Sequence, residues 1–358
     1  MRTDKSSIIT RRTSTSQPDW RADLSASVTD PETLLRLLGL DRSLLPAARA
    51  AAQNFGLRVP RDFIARMAHG DPRDPLLLQI LPLQAELDEI RGFGPDPVGD
   101  HNAELRPGLL RKYAGRALLI ASGACGVNCR YCFRRQFPYA GHSAATGRWQ
   151  ASVEAIGADP TIREVILSGG DPLVLPDDQL ASLTSALAGI PHVHSFRIHT
   201  RMPVVLPTRV DAGLVRWLAS IPVPVTIVVH ANHPREIDTN VAAALGRMRA
   251  AGGHVLNQAV LLHGVNDDPD TLVALSETLF AAGVLPYYLH LLDRVTGAAH
   301  FDVSENRARQ LLWEVARRLP GYLVPRLVRE IAGHPFKAPL SPLPPDETFE
   351  AEPMPHPL

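Results

Sequence analysis

Only three cysteines and three lysines occur in 358 residues. Three cysteines cannot build a disulfide framework, and their confinement to one short stretch reads as metal binding in a reducing, cytoplasmic setting. The formal net charge is zero, 37 basic residues against 37 acidic. With no basic excess, nothing marks a nucleic-acid partner or an anionic membrane surface. No apolar run approaches the ~18 residues that a membrane span needs. Residues 1–20, rich in Ser, Thr and Arg, lack the apolar segment of a signal peptide and read as a flexible leader. What remains is 45% hydrophobic and 21% charged, ordinary for a soluble globular enzyme with one large core or two modest ones.

Residues 21–100 carry largely helical apolar spacing. Asp30-Pro31-Glu32 supplies a cap, a proline and an acid ahead of Leu34, Leu35, Leu37 and Leu38. The Gly92–Pro97 stretch is a linker. From Ala117 the pattern changes to short apolar runs alternating with amphipathic segments. Strands are expected at Ala117–Ala121, Glu164–Leu167, Ser195–His199, Val223–His230, His254–Leu261 and Leu285–His290. Helices are expected at Trp149–Ala158, Asp177–Ala188, Asp211–Ser220, Asp238–Ala251, Pro269–Ala282 and Ser304–Arg318, most opened by Asp or Ser caps. Six strands each followed by a helix predict an α/β fold, a partial parallel (β/α)6 barrel over 101–322 behind a helical N-terminal region. Residues 323–340 form a C-terminal segment. The stretch 341–358, with six prolines from Pro342 to Pro357, is a tail unable to sustain helix or sheet.

The cysteines fall at Cys125, Cys129 and Cys132, a C-x3-C-x2-C spacing in the loop after the first barrel strand. Parallel barrels build their active sites from such loops. Three thiolates with no fourth cysteine make an open metal site. A zinc site completed by a histidine is the rival, though structural zinc sites usually pair two knuckles and only one is present. Ser168-Gly169-Gly170-Asp171-Pro172-Leu173 follows the second strand; taken alone it reads as a tight strand-to-helix turn.

With Tyr131 ahead of the last cysteine, the motif resembles the signature of the radical S-adenosylmethionine (SAM) superfamily. That resemblance implies a [4Fe–4S] cluster on Cys125, Cys129 and Cys132, with SAM on the unique iron. It also implies SAM binding at Ser168, Gly169, Gly170 and Asp171, and an external electron donor. Further matches narrow it: Arg130-Tyr131-Cys132-Phe133-Arg134-Arg135, Tyr287-Tyr288-Leu289-His290 with Asp293, Leu327-Val328-Arg329-Glu330 with Lys337, and Pro107–Tyr113. These resemble the lysine 2,3-aminomutase family, most closely its EpmB branch, which supplies β-lysine for modifying translation elongation factor P. The similarity runs from about Trp20 to Leu340.

The resemblance implies pyridoxal phosphate (PLP) on Lys337, which otherwise reads as an exposed lysine heading the tail. It implies Arg116 on the PLP phosphate, with Lys112 a weaker candidate and Tyr113 and Tyr288 as packing. It implies L-lysine as substrate, its carboxylate on Arg134 and its ε-ammonium on Asp293 and Glu330; a planar guanidinium and paired acids suit those groups. Arg135 reads as a surface arginine, and His230, His290 and His300 as satisfied structural histidines. β-Lysine would pass to a ligase acting on elongation factor P. No cysteine follows Cys132, so the zinc site that catabolic relatives form between subunits is not expected, and a homo-oligomer stays open. A radical SAM enzyme acting on another amino acid or on a macromolecule, without PLP, is the nearer alternative.

Overall fold

The computed structural model describes residues 19–139 and 149–345. The leader up to residue 18 and the tail beyond 345 lie outside them. The N-terminal region folds as α1 (Trp20–Ser25), α2 (Pro31–Leu38), α3 (Leu45–Asn54) and single turns α4 (Arg61–Ile64) and α5 (Pro75–Leu78). Asp30 caps α2, accepting from the Glu32 and Thr33 amides ahead of Pro31, and Gly39 ends it at φ 62. That is the punctuation expected of a short, self-contained helix. Trp20, placed at the end of the leader by the sequence, is buried beneath the Arg209 guanidinium, 4.3 Å from its ring.

Ten strands follow one another in a single sheet in chain order. They are β1 (Glu104–Arg106), β2 (Leu109–Leu110), β3 (Arg116–Ser122), β4 (Glu164–Gly169), β5 (Ser195–Thr200), β6 (Val225–Val229), β7 (His254–Val260), β8 (Leu285–His290), β9 (Arg326–Arg329) and β10 (Ala338–Pro339). β3 through β9 pair in parallel, and antiparallel strands flank them on either side. The six crossovers carry α6 (Trp149–Ala158), α7 (Asp177–Ala188), α9 (Ala212–Ser220), α10 (Thr239–Ala250), α11 (Pro269–Ala281) and α12 (Glu305–Arg318); the single turn α8 (Met202–Val205) follows β5. This is the expected partial barrel, with one parallel strand more than the sequence disclosed. β9 lies in the segment 323–340, which therefore joins the sheet as its closing edge.

Alternation along each strand sorts the two faces. Ala117, Leu119, Val165, Leu167, Phe196 and Ile198 are wholly buried in a core shared with the crossover helices. Their neighbours Arg116, Ser168, Arg197 and His199 line a lumen. The same core takes in Leu34, Phe63, Leu77 and Ile80 from the N-terminal helices. Residues 21–100 are thus packed as part of one body with the barrel. β6 is shorter than expected because Pro224, lacking an N–H, can offer the sheet only its carbonyl, which accepts from Phe196.

Candidate active site

The lumen opens into a cavity of about 530 Å³. Cys125, Cys129, Cys132, Ser168, Gly169, Gly170, Asp171, Arg134, Asp293, Glu330, Lys337 and Arg116 all line it. Every residue singled out from the sequence as cluster, cofactor or substrate ligand thus reaches the same space.

The cysteine loop is held from outside by the N-terminal helices. Asn128 and Arg130 donate their amides to the carbonyls of Arg58 and Gln79. The Arg130 guanidinium is wholly buried, paired with Glu86 through Nε at 2.8 Å and Nη2 at 2.5 Å, and Nη1 donates to the Phe55 carbonyl. Arg135, expected at the surface, is buried as well, bonded to Glu86 at 2.6 Å and to the Gly297 carbonyl. It braces the loop because one carboxylate offers lone pairs to two guanidinium groups. From inside, Gly169 and Gly170 press against the loop. A Cβ on Gly169 (φ 114) would stand 2.4 Å from the Ser122 carbonyl oxygen, and one on Gly170 2.3 Å from that of Ala124.

Asp171, expected to touch SAM, is engaged internally. Its carboxylate accepts from the Leu173, Arg201 and Met202 amides and from Thr200 Oγ1. It ties the end of β4 to the end of β5 and so shapes the wall behind the cysteines.

At the Lys337 end, Lys337 Nζ lies 2.6 Å from Glu330 Oε2, and Tyr113 donates its hydroxyl to Glu330 Oε1 at 2.6 Å. Burial alone would raise Glu330, but Lys337, Tyr113 and Lys112 outweigh it and hold the carboxyl below its ordinary value. Lys112 is taken up by Asp100 at 2.7 Å and by the Val98 carbonyl. Asp100 also accepts from Arg134 Nε at 2.6 Å, while Arg134 Nη1 reaches Ser168 Oγ at 3.3 Å. The guanidinium plane of Arg134 is fixed, and Nη2 has no partner among the described residues. Arg116 stacks 5.2 Å from the Tyr113 ring and has no acidic partner among the described residues. The Asp293 carboxylate accepts no side-chain or backbone donor there either, and burial pushes it up to about 7.

Residues 119–275 match the Radical SAM superfamily. Over 326 residues the chain is 48% identical to L-lysine 2,3-aminomutase of Escherichia coli K12, covering 91% of this chain and 95% of that protein. The chain belongs to the lysine 2,3-aminomutase family. It is 45% identical to the Haemophilus influenzae protein of that name over 90% of this chain and 95% of that one. Identity to the Clostridium subterminale protein is 31%, over 90% and 78%.

For a lysine 2,3-aminomutase relative the donor set fits an iron–sulfur cluster. Burial first, and then the neighbouring thiols, pushes Cys125 well up and Cys132 to about 11. Such crowded thiols become thiolates only with a cation to share. Among the described residues no three His, Cys, Asp or Glu side chains gather as on a single ion; a cluster spreads its thiolates over separate irons and does not ask for that. PLP fits the other end, where an amine and an unpaired arginine share one cavity.

Other cavity residues of this family member escaped the sequence reading or were read there as structural. His199, His230 and His290 line the cavity and leave Nε2 without a hydrogen-bond partner among the described residues, so His230 and His290 are not satisfied structural histidines. Burial pushes His230 down to about 4 and holds His199 and His290 well below the ordinary imidazole value, which favours the neutral ring in all three. His300 lies away from the cavity on Phe301, ring centroids 4.1 Å apart, and with neither ring nitrogen partnered among the described residues it is not a satisfied structural histidine either. Arg201 and Asn232, just past β5 and β6, also line the cavity. Their place beyond the C-terminal ends of parallel strands was the available signal.

Proposed function

We propose that this protein is an L-lysine 2,3-aminomutase that converts L-lysine to (R)-β-lysine by radical SAM and PLP chemistry, as the EpmB branch does for modification of elongation factor P. The observation that carries the reading is that one cavity is lined by Cys125, Cys129, Cys132, Lys337, the clamped Arg134 and two acids of opposite circumstance, Glu330 paired and Asp293 bare among the described residues. When bound, the cluster and SAM supply a deoxyadenosyl radical and PLP supplies an aldehyde for the substrate amine; that is cofactor chemistry.

The protein's share is to place and protect. Cys125, Cys129 and Cys132 would hold the cluster, with SAM against Ser168, Gly169 and Gly170 while Asp171 keeps that turn in shape. Lys337 would carry PLP, its phosphate on Arg116. Arg134, fixed by Asp100 and Ser168, presents its remaining edge to the substrate carboxylate. Asp293 and Glu330 would take the ε-ammonium. Two acids there oppose a substrate ending in a carboxylate, such as glutamate. The neutral histidines add hydrogen-bonding capacity without a charge that would compete for the ammonium.

The test is anaerobic. The cluster is reconstituted, and SAM, PLP, a low-potential reductant and L-lysine are added. Formation of β-lysine, resolved by chiral chromatography, is the expected result. Vigorous SAM cleavage with no β-lysine would overturn the reading. Passage of the product to elongation factor P is tested by adding its ligase and following the mass of the factor.

A further inference from the structure

Arg201 follows β5 directly and is almost wholly buried. Its guanidinium reaches three partners at once. Nη1 donates to Cys129 Sγ at 2.8 Å, and Nη2 donates to Gln79 Oε1 at 2.5 Å and Glu236 Oε2 at 2.9 Å. Its plane lies 5.4 Å from the Phe63 ring and 5.6 Å from the Tyr131 ring. Glu236 is itself fully buried, its Oε1 accepting from the Asn232 and His233 amides and from Gln79 Nε2. Asp171 fixes the Arg201 backbone amide at 2.7 Å.

The arrangement is one-sided. Among the described residues no side chain donates to the sulfur of Cys125 or Cys132. Among the described residues the one guanidinium bonded to a cysteine sulfur is directed at Cys129, with a buried carboxylate behind it; Cys132 takes only the Arg134 amide, and Arg58, Arg134 and Arg135 act on the other two cysteines through space. Hydrogen bonds to cysteine sulfur and local net charge are among the levers that set the potential of an iron–sulfur cluster. A donor draws electron density from the thiolate and favours the extra electron of the reduced state. An acid behind the donor offsets that effect.

We infer that Arg201, held by Gln79 and Glu236, is a positioning residue that raises the reduction potential of the cluster through Cys129, and that Glu236 sets how much of its charge the cluster feels. The inference rests on the reading that the three cysteines hold a [4Fe–4S] cluster. It gives the N-terminal helices, through Gln79, a part in the electronics of the site.

Removing Arg201 alone would strand a buried carboxylate, so the informative pair is Glu236→Gln and the charge-balanced double variant Arg201→Gln/Glu236→Gln. Each full-length protein is reconstituted anaerobically, assayed for iron and sulfide, and titrated with graded low-potential reductants, the reduced cluster being counted by its electron paramagnetic resonance. The expected midpoint potential is more positive than wild type in Glu236→Gln and more negative in the double variant. A merely structural role would not split the two in sign. Full iron content with unchanged potentials, or shifts of the same sign, overturns the inference. A wild-type protein that takes up no iron and sulfide overturns the cluster reading itself.

Discussion

Glu330 and Lys337 face each other across the mouth of the β9–β10 hairpin, Nζ to Oε2 at 2.6 Å. Lys337 ends in a primary ammonium on four methylenes, the same group that ends the substrate proposed here. The pair is therefore internal evidence that Glu330, with Tyr113 on its second oxygen, is shaped to receive an alkyl ammonium. Hydrogen bonds to charged groups contribute ~1.5–3 kcal/mol each. Glu330→Gln keeps the shape and loses the charge, so the KM for L-lysine is expected to rise about tenfold or more, measured by initial rates of β-lysine formation. An unchanged KM would mean that the ammonium is read elsewhere.

Lys337 is tested separately. Borohydride treatment of the protein with PLP, followed by peptide mapping, is expected to leave the cofactor's mass on the Lys337 peptide. Lys337→Ala should retain iron and sulfide yet carry no such mass. Labelling at Lys112 instead would remove Lys337 from the role, although the grip of Asp100 on Lys112 argues against that outcome.

Asp293 sets a pH dependence whose sign follows from its burial. Its carboxyl is raised to about 7 from an ordinary 3.8, so it stays protonated through the acidic range and ionises near neutrality. A neutral acid cannot pair with an ammonium, and an ammonium brought close favours the ionised form. The KM for L-lysine should therefore fall as pH rises from 6 to 8, and Asp293→Asn should remove that part of the profile. The folded protein holds a proton that the unfolded chain has released between about pH 4 and pH 7. The stability that this proton contributes is present in acid and lost as pH rises through 7. Asp293→Asn should accordingly melt higher than wild type at pH 8, gain less at pH 5 and gain almost nothing below pH 4.

The barrel was legible because each strand and helix carries its own local signal. Asp211, Asp238, Asp268 and Ser304 cap the helices that they open, and six apolar runs became six parallel strands. β9 was not legible, since Arg326-Leu-Val-Arg329 is too short to show a period without its neighbour β8. The Cys, Lys337 and Arg134 positions were readable from motif and resemblance. Arg135, His199 and the Arg201–Glu236–Gln79 set were not. A buried charge becomes intelligible only with its partner, and Gln79 and Arg201 stand 122 residues apart.

Gly170 isolates the packing of the cysteine loop from its chemistry. A methyl there would meet the Ala124 carbonyl oxygen at 2.3 Å, a backbone atom that cannot swing aside. Gly170→Ala is expected to shift the loop and lower iron retention several-fold after reconstitution, with the circular dichroism of the barrel unchanged. Full iron retention would show that the loop yields without losing its ligand geometry.

The Glu86–Arg130 pair tests whether the N-terminal helices hold the loop by charge or by shape. Breaking a buried ion pair by removing one partner costs about 3–5 kcal/mol, because the remaining charge has no solvent to accept it. Glu86→Gln should reach that range, since it leaves both Arg130 and Arg135 without their shared carboxylate. Replacing the pair together, Glu86→Leu with Arg130→Met, removes that penalty for Arg130 and is expected to recover much of the stability in urea unfolding. It also deletes the Arg130 bond to the Phe55 carbonyl, so the loop stays loosely placed. The double variant should therefore fold better than Glu86→Gln and still retain less iron than wild type. Recovery of both properties together would show that apolar packing alone is enough to seat the cysteines.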